Sequence, residues 1–198
     1  MSVIESKNID IGSCSLHMLT AGNSKNRDIV LLHGLKFTAR TWQETGTLDI
    51  LAEHGCHAVA LDMPGFGESE ACSKGRPQVL AGVIDMETAG KPVLLGPSMG
   101  GRIALEFALD YPEHVGALIL VGAVGVTENR GRLAEIKVPT LIIWGSEDQI
   151  APLDNSDLLL AEISGSARII IDGAPHPCYL DQPESFHRAI LDFLSSLS

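Results

Sequence analysis

Short runs of Val, Ile, Leu and Ala recur along the chain at 29–32, 58–61, 92–95, 117–121, 140–144 and 168–171, and they are continuous rather than alternating with polar residues. Such runs belong to strands buried on both faces, as in a parallel sheet. Between them lie longer amphipathic stretches at 39–54, 76–88, 98–111, 154–163 and 183–197, several with Pro, Ser or Asp near their start, and these predict helices. Strand and helix alternate, so the pattern predicts an α/β fold: a doubly wound, mostly parallel sheet flanked by helices. The segment 7–19 adds an antiparallel hairpin at the sheet edge, with Gly12-Ser13 as its turn, and the polar stretch 71–77 reads as a surface loop. No repeat, low-complexity run or linker interrupts the pattern, which predicts a single domain over 1–198.

Composition narrows the function classes. Hydrophobic residues make up 45% of the chain and aromatics only 5%, so the core is built from aliphatic side chains. The net charge of −11, without a cluster of Lys or Arg, argues against nucleic acid and anionic membrane as partners. The polar N-terminus and the lack of a long apolar run predict a soluble, cytoplasmic protein. Cys14, Cys56, Cys72 and Cys178 show no metal-binding spacing, and a chain of this length needs no disulfide staples, so all four are expected reduced. No metal or cofactor is implied.

In doubly wound sheets ligands bind beyond the carboxyl ends of the strands. The residues at those positions are His33-Gly34, Asp62, Ser98, Asp148 and His176. The strongest signal is Gly96-Pro97-Ser98-Met99-Gly100, a G-x-S-x-G sequence between an apolar strand and a helix. A sharp turn that lifts Ser98 into a cleft leaves no room for side chains two residues away. The plain alternative is a Gly-bounded turn with Ser98 as a helix cap.

A serine hydroxyl needs a base, and the base needs an acid to orient it. Downstream, Trp144-Gly145-Ser146-Glu147-Asp148 follows one strand and Ala174-Pro175-His176-Pro177 follows the last, which gives the order Ser, Asp, His. Asp148 is the expected acid, with Glu147 or Asp154 as substitutes, and His176 the expected base. The N–H groups of Met99 and Leu35 are the expected oxyanion donors. His33 is expected to brace the loop before Gly34 and, with Phe37 and Cys178, to border the substrate pocket. Asp62-Met63-Pro64-Gly65-Phe66-Gly67-Glu68-Ser69 reads as a structured loop, and Asp62 as scaffold, since it precedes Ser98.

Together the HG, D-x-P-G-x-G-x-S, G-x-S-x-G and W-G-x-x-D motifs and the late His resemble the α/β-hydrolase superfamily across nearly the whole chain. More narrowly, Leu32-His33-Gly34-Leu35-Lys36-Phe37, Thr41-Trp42-Gln43, Gly46-Thr47-Leu48 and His176-Pro177-Cys178-Tyr179-Leu180-Asp181 resemble the small α/β-hydrolase domain-containing protein 14 group. That resemblance implies a fold without a lid, in keeping with the short connection between Val121 and the strand at 140. It implies hydrolysis of small activated esters and, for one branch, acyl transfer from acetylated lysine to coenzyme A, and it carries Ser98, Asp148 and His176 over by position. The elbow departs from the group, whose version is Ser-flanked, which weakens the coenzyme A reading; no phosphate-cradling loop or basic patch is present.

The sequence thus predicts a serine hydrolase acting on a small-molecule acyl ester, with no protein partner indicated. The alternatives are an acyltransferase or protein-lysine deacylase passing the acyl group to coenzyme A, and a non-catalytic interaction protein on the same fold.

Overall fold

The computed structural model describes residues 2–23 and 27–197. Among them run eight strands: β1 (Ile4–Ile11), β2 (Cys14–Ala21), β3 (Arg27–Leu31), β4 (Cys56–Leu61), β5 (Val93–Pro97), β6 (Ala117–Val121), β7 (Thr140–Gly145) and β8 (Ala167–Ile171). They form one sheet in the order β1-β2-β4-β3-β5-β6-β7-β8. The β1–β2 hairpin is antiparallel and joins the sheet antiparallel to β4, while every other pairing is parallel. Helices α1 (Arg40–Glu44), α2 (Thr47–Glu53), α3 (Arg76–Glu87), α4 (Met99–Asp110), α5 (Asp154–Glu162), α6 (Cys178–Asp181) and α7 (Pro183–Ser196) cover both faces.

Successive strand side chains point to opposite faces, and here each face has its own core. Val30, Leu94, Leu120 and Ile142 meet Val79, Val83, Phe107 and Leu159 of α3, α4 and α5. Ile29, Leu95, Ile119 and Ile143 meet Trp42, Leu48, Phe186 and Ile190 of α1, α2 and α7. Each such aliphatic contributes about 1.5–3 kcal/mol by leaving water, which is why the central strands read as unbroken apolar runs.

Two expectations are corrected. The helix expected over 39–54 is two short helices broken at 45–46, where Thr45 Oγ1 donates to the Thr41 carbonyl at 3.0 Å and Gly46 follows. A hydroxyl that competes for a helical carbonyl, next to a glycine in the left-handed conformation at φ 74°, ends the helix. The cysteines are not all reduced: Cys14 and Cys72 form a disulfide with Cα atoms 5.3 Å apart, while Cys56 and Cys178 are free and buried. A separation of 58 residues hides this pairing in the sequence. Folding creates it, because Glu70 N–H donates to Ser15 O and brings the 71–75 loop onto the start of β2.

No helix of the described residues is long and apolar enough to cross a membrane. Between β6 and β7 the chain forms a short 3-10 turn, Arg130–Glu135, and returns to the sheet without inserting a cap.

Candidate active site

Ser98 stands between β5 and α4 with φ 52° and ψ −115°, the one non-glycine with positive φ among the described residues. L-residues avoid this region, at roughly 1–3 kcal/mol, unless the surroundings over-determine it. Here they do: Ser98 N–H donates to Val121 O at 2.9 Å, and its carbonyl accepts Arg102 N–H at 3.0 Å. The flanking glycines are a packing requirement. A Cβ on Gly96 would run into the Gly100 carbonyl, and one on Gly100 would lie 2.8 Å from His33 O. The N-terminus of the twelve-residue α4 starts at Met99 with no acidic residue in its first turn, so the helix dipole favours negative charge developing at position 98.

Asp148 sits on the loop after β7 with its side chain fully buried. Its Oδ1 accepts the Ile150 and Ala151 N–H groups at 2.9 and 2.8 Å, and its Oδ2 accepts His176 Nδ1–H at 2.7 Å. The loop is itself held by Trp144, whose Nε1–H donates to Ala151 O at 2.9 Å. The base loop is tied to it, since Glu147 N–H donates to Ala174 O at 3.0 Å. Of the three acids weighed from sequence, it is Asp148 that meets His176. With Nδ1–H committed to the carboxylate, Nε2 is the basic nitrogen, and it is buried without a hydrogen-bond partner. His176 and Ser98 line the same cleft of about 330 Å³.

Gly122 completes this pair, and the sequence reading missed it. At φ 49° it follows β6, and a Cβ there would lie 3.1 Å from Asp148 Oδ2 and 3.2 Å from His176 Nδ1. A glycine directly after the apolar run 117–121 was the available signal.

The loop after β3 passes beside the nucleophile position, where a Cβ on Gly34 would lie 3.7 Å from Ser98 Cβ. Phe37 N–H closes this turn onto Gly34 O, which leaves Leu35 N–H outside it. His33 braces the turn from behind, its Nδ1–H donating to Gly34 O at 2.8 Å while Nε2 accepts Met63 N–H at 3.1 Å. Burial pushes its pKa below the ordinary 6.5, so the neutral tautomer persists. Asp62 is scaffold, as expected: its carboxylate accepts His17 Nδ1–H and the Ala39 and Glu68 N–H groups.

Phe37 lines the cleft, but two of the expected pocket residues do not. His33 is 1% exposed and Cys178 fully buried, both behind the wall. Burial raises the Cys178 thiol to about 12, which rules out a thiolate at neutral pH. Leu35, Ile150 and Tyr179 form the wall instead. Position after a strand does not reveal which way a side chain turns, and so Ile150 and Tyr179 went unnoticed.

A sequence model of the alpha/beta hydrolase fold family matches residues 29–134, from β3 through the elbow and beyond β6. The chain belongs to the α/β-hydrolase family. Among related hydrolase-fold proteins, rat (Rattus norvegicus) ABHD14B, named as a candidate protein-lysine deacylase, is 35% identical over 186 residues, covering 89% of this chain and 87% of the rat protein. Protein ABHD14A of Danio rerio is 38% identical over 178 residues, covering 85% of this chain and 64% of that protein. In structure the chain is similar to a predicted CIB-like hydrolase from Thermoplasma acidophilum, with a TM-score of 0.93 and 29% identity over 98% of this chain and 99% of that one. These α/β-hydrolase likenesses span the sheet and both faces, and they agree with the absence of a cap.

Proposed function

We propose that this α/β-hydrolase cleaves carboxylic esters of small acids through an acyl-Ser98 intermediate. His176 Nε2 takes the Ser98 hydroxyl proton as Oγ attacks the ester carbonyl, and the oxyanion is held by Met99 and Leu35 N–H. Collapse of the tetrahedral intermediate breaks the C–O bond, and His176 returns the proton to the departing alkoxide. Water then repeats the sequence on the acyl-enzyme, releasing the acid and restoring Ser98. Asp148 orients the imidazole through its Nδ1–H and stabilises the protonated ring.

The observation that carries this reading is the Asp148–His176 pair, which leaves a buried, unpartnered Nε2 in the cleft that the strained Ser98 also lines. A purely structural turn has no need to keep Ser98 in a disallowed conformation, which disfavours a non-catalytic module. Replacing Ser98 by Ala is expected to lower p-nitrophenyl acetate turnover by at least about a thousandfold and to abolish labelling by a fluorophosphonate probe. Unchanged turnover in the folded variant overturns the mechanism.

A second reading takes the acylated lysine from the name of the rat relative and the acceptor from the family resemblance of the sequence: the same acyl-enzyme forms from an acylated lysine and passes its acyl group to coenzyme A. Acyl-coenzyme A appearing when the thiol is added to the acyl-enzyme supports that reading, and its absence removes it.

A further inference from the structure

Two features of the cleft are unaccounted for by hydrolysis of an acetyl ester. One is its size. At about 30 Å³ per water-sized group, a volume of about 330 Å³ holds about eleven, whereas acetate presents a single methyl beyond the carbonyl. The other is its rim. Leu35 and Ile150 are 63% and 67% exposed, large aliphatic side chains set in water on a strongly acidic protein. Sheet order separates them, because Leu35 follows β3 and Ile150 follows β7 while Ser98 follows β5 between those strands. Apolar surface therefore stands on both sides of the nucleophile, continued inward by Phe37 and Tyr179, whose rings meet edge-on at 6.2 Å.

Resting on the ester reading above, we propose that the cleft takes an unbranched, apolar acyl group of about six to eight carbons, a length that with the ester atoms fills its volume. Leu35 and Ile150 close over the chain as its outer walls. An apolar chain would equally cover these residues from the alcohol side of the ester. The acyl assignment is preferred because the acyl group remains on Ser98 after the alcohol has left, and only a covalently held chain benefits from the walls in both halves of the reaction.

Each methylene that leaves water contributes a factor of about four when wholly buried, and about two in an open cleft. The test is kcat/KM for p-nitrophenyl esters from acetate to decanoate, below their critical micelle concentrations, beside acetate esters of alcohols of rising length. The expected result is a rise of about two- to fourfold per methylene up to hexanoate or octanoate, followed by a plateau, with no comparable rise in the alcohol series. Ile150→Ser keeps the N–H that Asp148 accepts and removes the wall, so the hexanoate-to-acetate ratio falls about three- to tenfold, while Ile150→Leu retains it. A flat or falling acyl series, a rise confined to the alcohol series, or an unchanged ratio in Ile150→Ser overturns the proposal. Each of these outcomes still leaves acetate turnover through Ser98 standing, whereas loss of the ester reading would show as no Ser98-dependent turnover of any ester.

Discussion

Replacing Gly122 by alanine tests whether the geometry of the Asp148–His176 pair sets the rate. The new methyl carbon would stand 3.1 Å from Asp148 Oδ2, 3.2 Å from His176 Nδ1 and 3.3 Å from its Cε1, against the roughly 3.5–4.0 Å of a relaxed carbon contact. The carboxylate cannot retreat, because its other oxygen is held by two backbone N–H groups. The imidazole must therefore yield by a few tenths of an ångström. A misplacement of about 1 Å costs about a hundredfold in rate, so kcat is expected to fall about three- to tenfold. The left-handed φ of 49° adds about 1–2 kcal/mol of destabilisation for an L-residue. Steady-state kinetics on p-nitrophenyl esters and urea unfolding read the two effects separately. Gly131→Ala serves as control, since a Cβ there meets nothing within 4 Å. If Gly122→Ala lost stability but kept full kcat, the pair would not be the acid–base machinery.

Two further outcomes follow from groups outside the cleft. The Cys14–Cys72 bridge closes a 58-residue separation, so a dithiol reductant or the Cys14→Ser, Cys72→Ser double variant is expected to lower unfolding free energy by about 2–4 kcal/mol. Thiol titration of the unfolded, unreduced chain should find two free thiols, and finding four would refute the bridge. Burial holds both His33 and His187 below their ordinary 6.5, so the folded protein binds fewer protons than the unfolded chain. Stability should therefore be full above about pH 6.5 and fall beneath it, by up to about 1.4 kcal/mol per pH unit for each histidine. A urea midpoint unchanged between pH 7.5 and 5.5, or as steep in His187→Gln as in the parent, contradicts this.

The sheet was legible because burial on both faces leaves an unbroken apolar signature, and the elbow because crowding around Ser98 admits glycine alone at 96 and 100. Asp148 and His176 were legible from chain order combined with position after a strand. What the sequence could not show were relations made by folding across long separations. Gly122 supports a pair formed by residues 148 and 176, and Cys14 meets Cys72 only once the hairpin is in place. His33 and Cys178 were misplaced for a related reason: adjacency to a functional loop does not say whether a side chain turns into the cleft or behind it. The neutral, doubly hydrogen-bonded His33 shapes the loop next to Ser98 without touching the cleft.

The strand ends explain how rigid parts and permissive parts coexist. Beyond the ladder proper, Leu32 N–H donates to Leu95 O, Ser98 N–H to Val121 O, Gly122 N–H to Ile143 O, and Ser146 N–H to Ile171 O. The loops after β3, β5, β6 and β7 thus begin with their backbone tied to carbonyls of the neighbouring strand, so Ser98 and the Asp148 loop inherit the stiffness of the sheet, while the His176 loop beyond the edge strand is held through Glu147 N–H on Ala174 O. Leu35 and Ile150 lie three and four residues beyond Leu32 and Ser146 and turn their side chains to water. The groups proposed to do the chemistry are therefore separate from those proposed to grip the acyl chain. A change at 150 can alter which acyl chain is retained on Ser98, but it gives the His176 nitrogen no means of preferring water over a thiol or an amine. The choice of acceptor must then be made by whatever occupies the open side of the cleft once the first product has left, which makes the acyl-enzyme, rather than the free protein, the species on which acceptor competition should be measured.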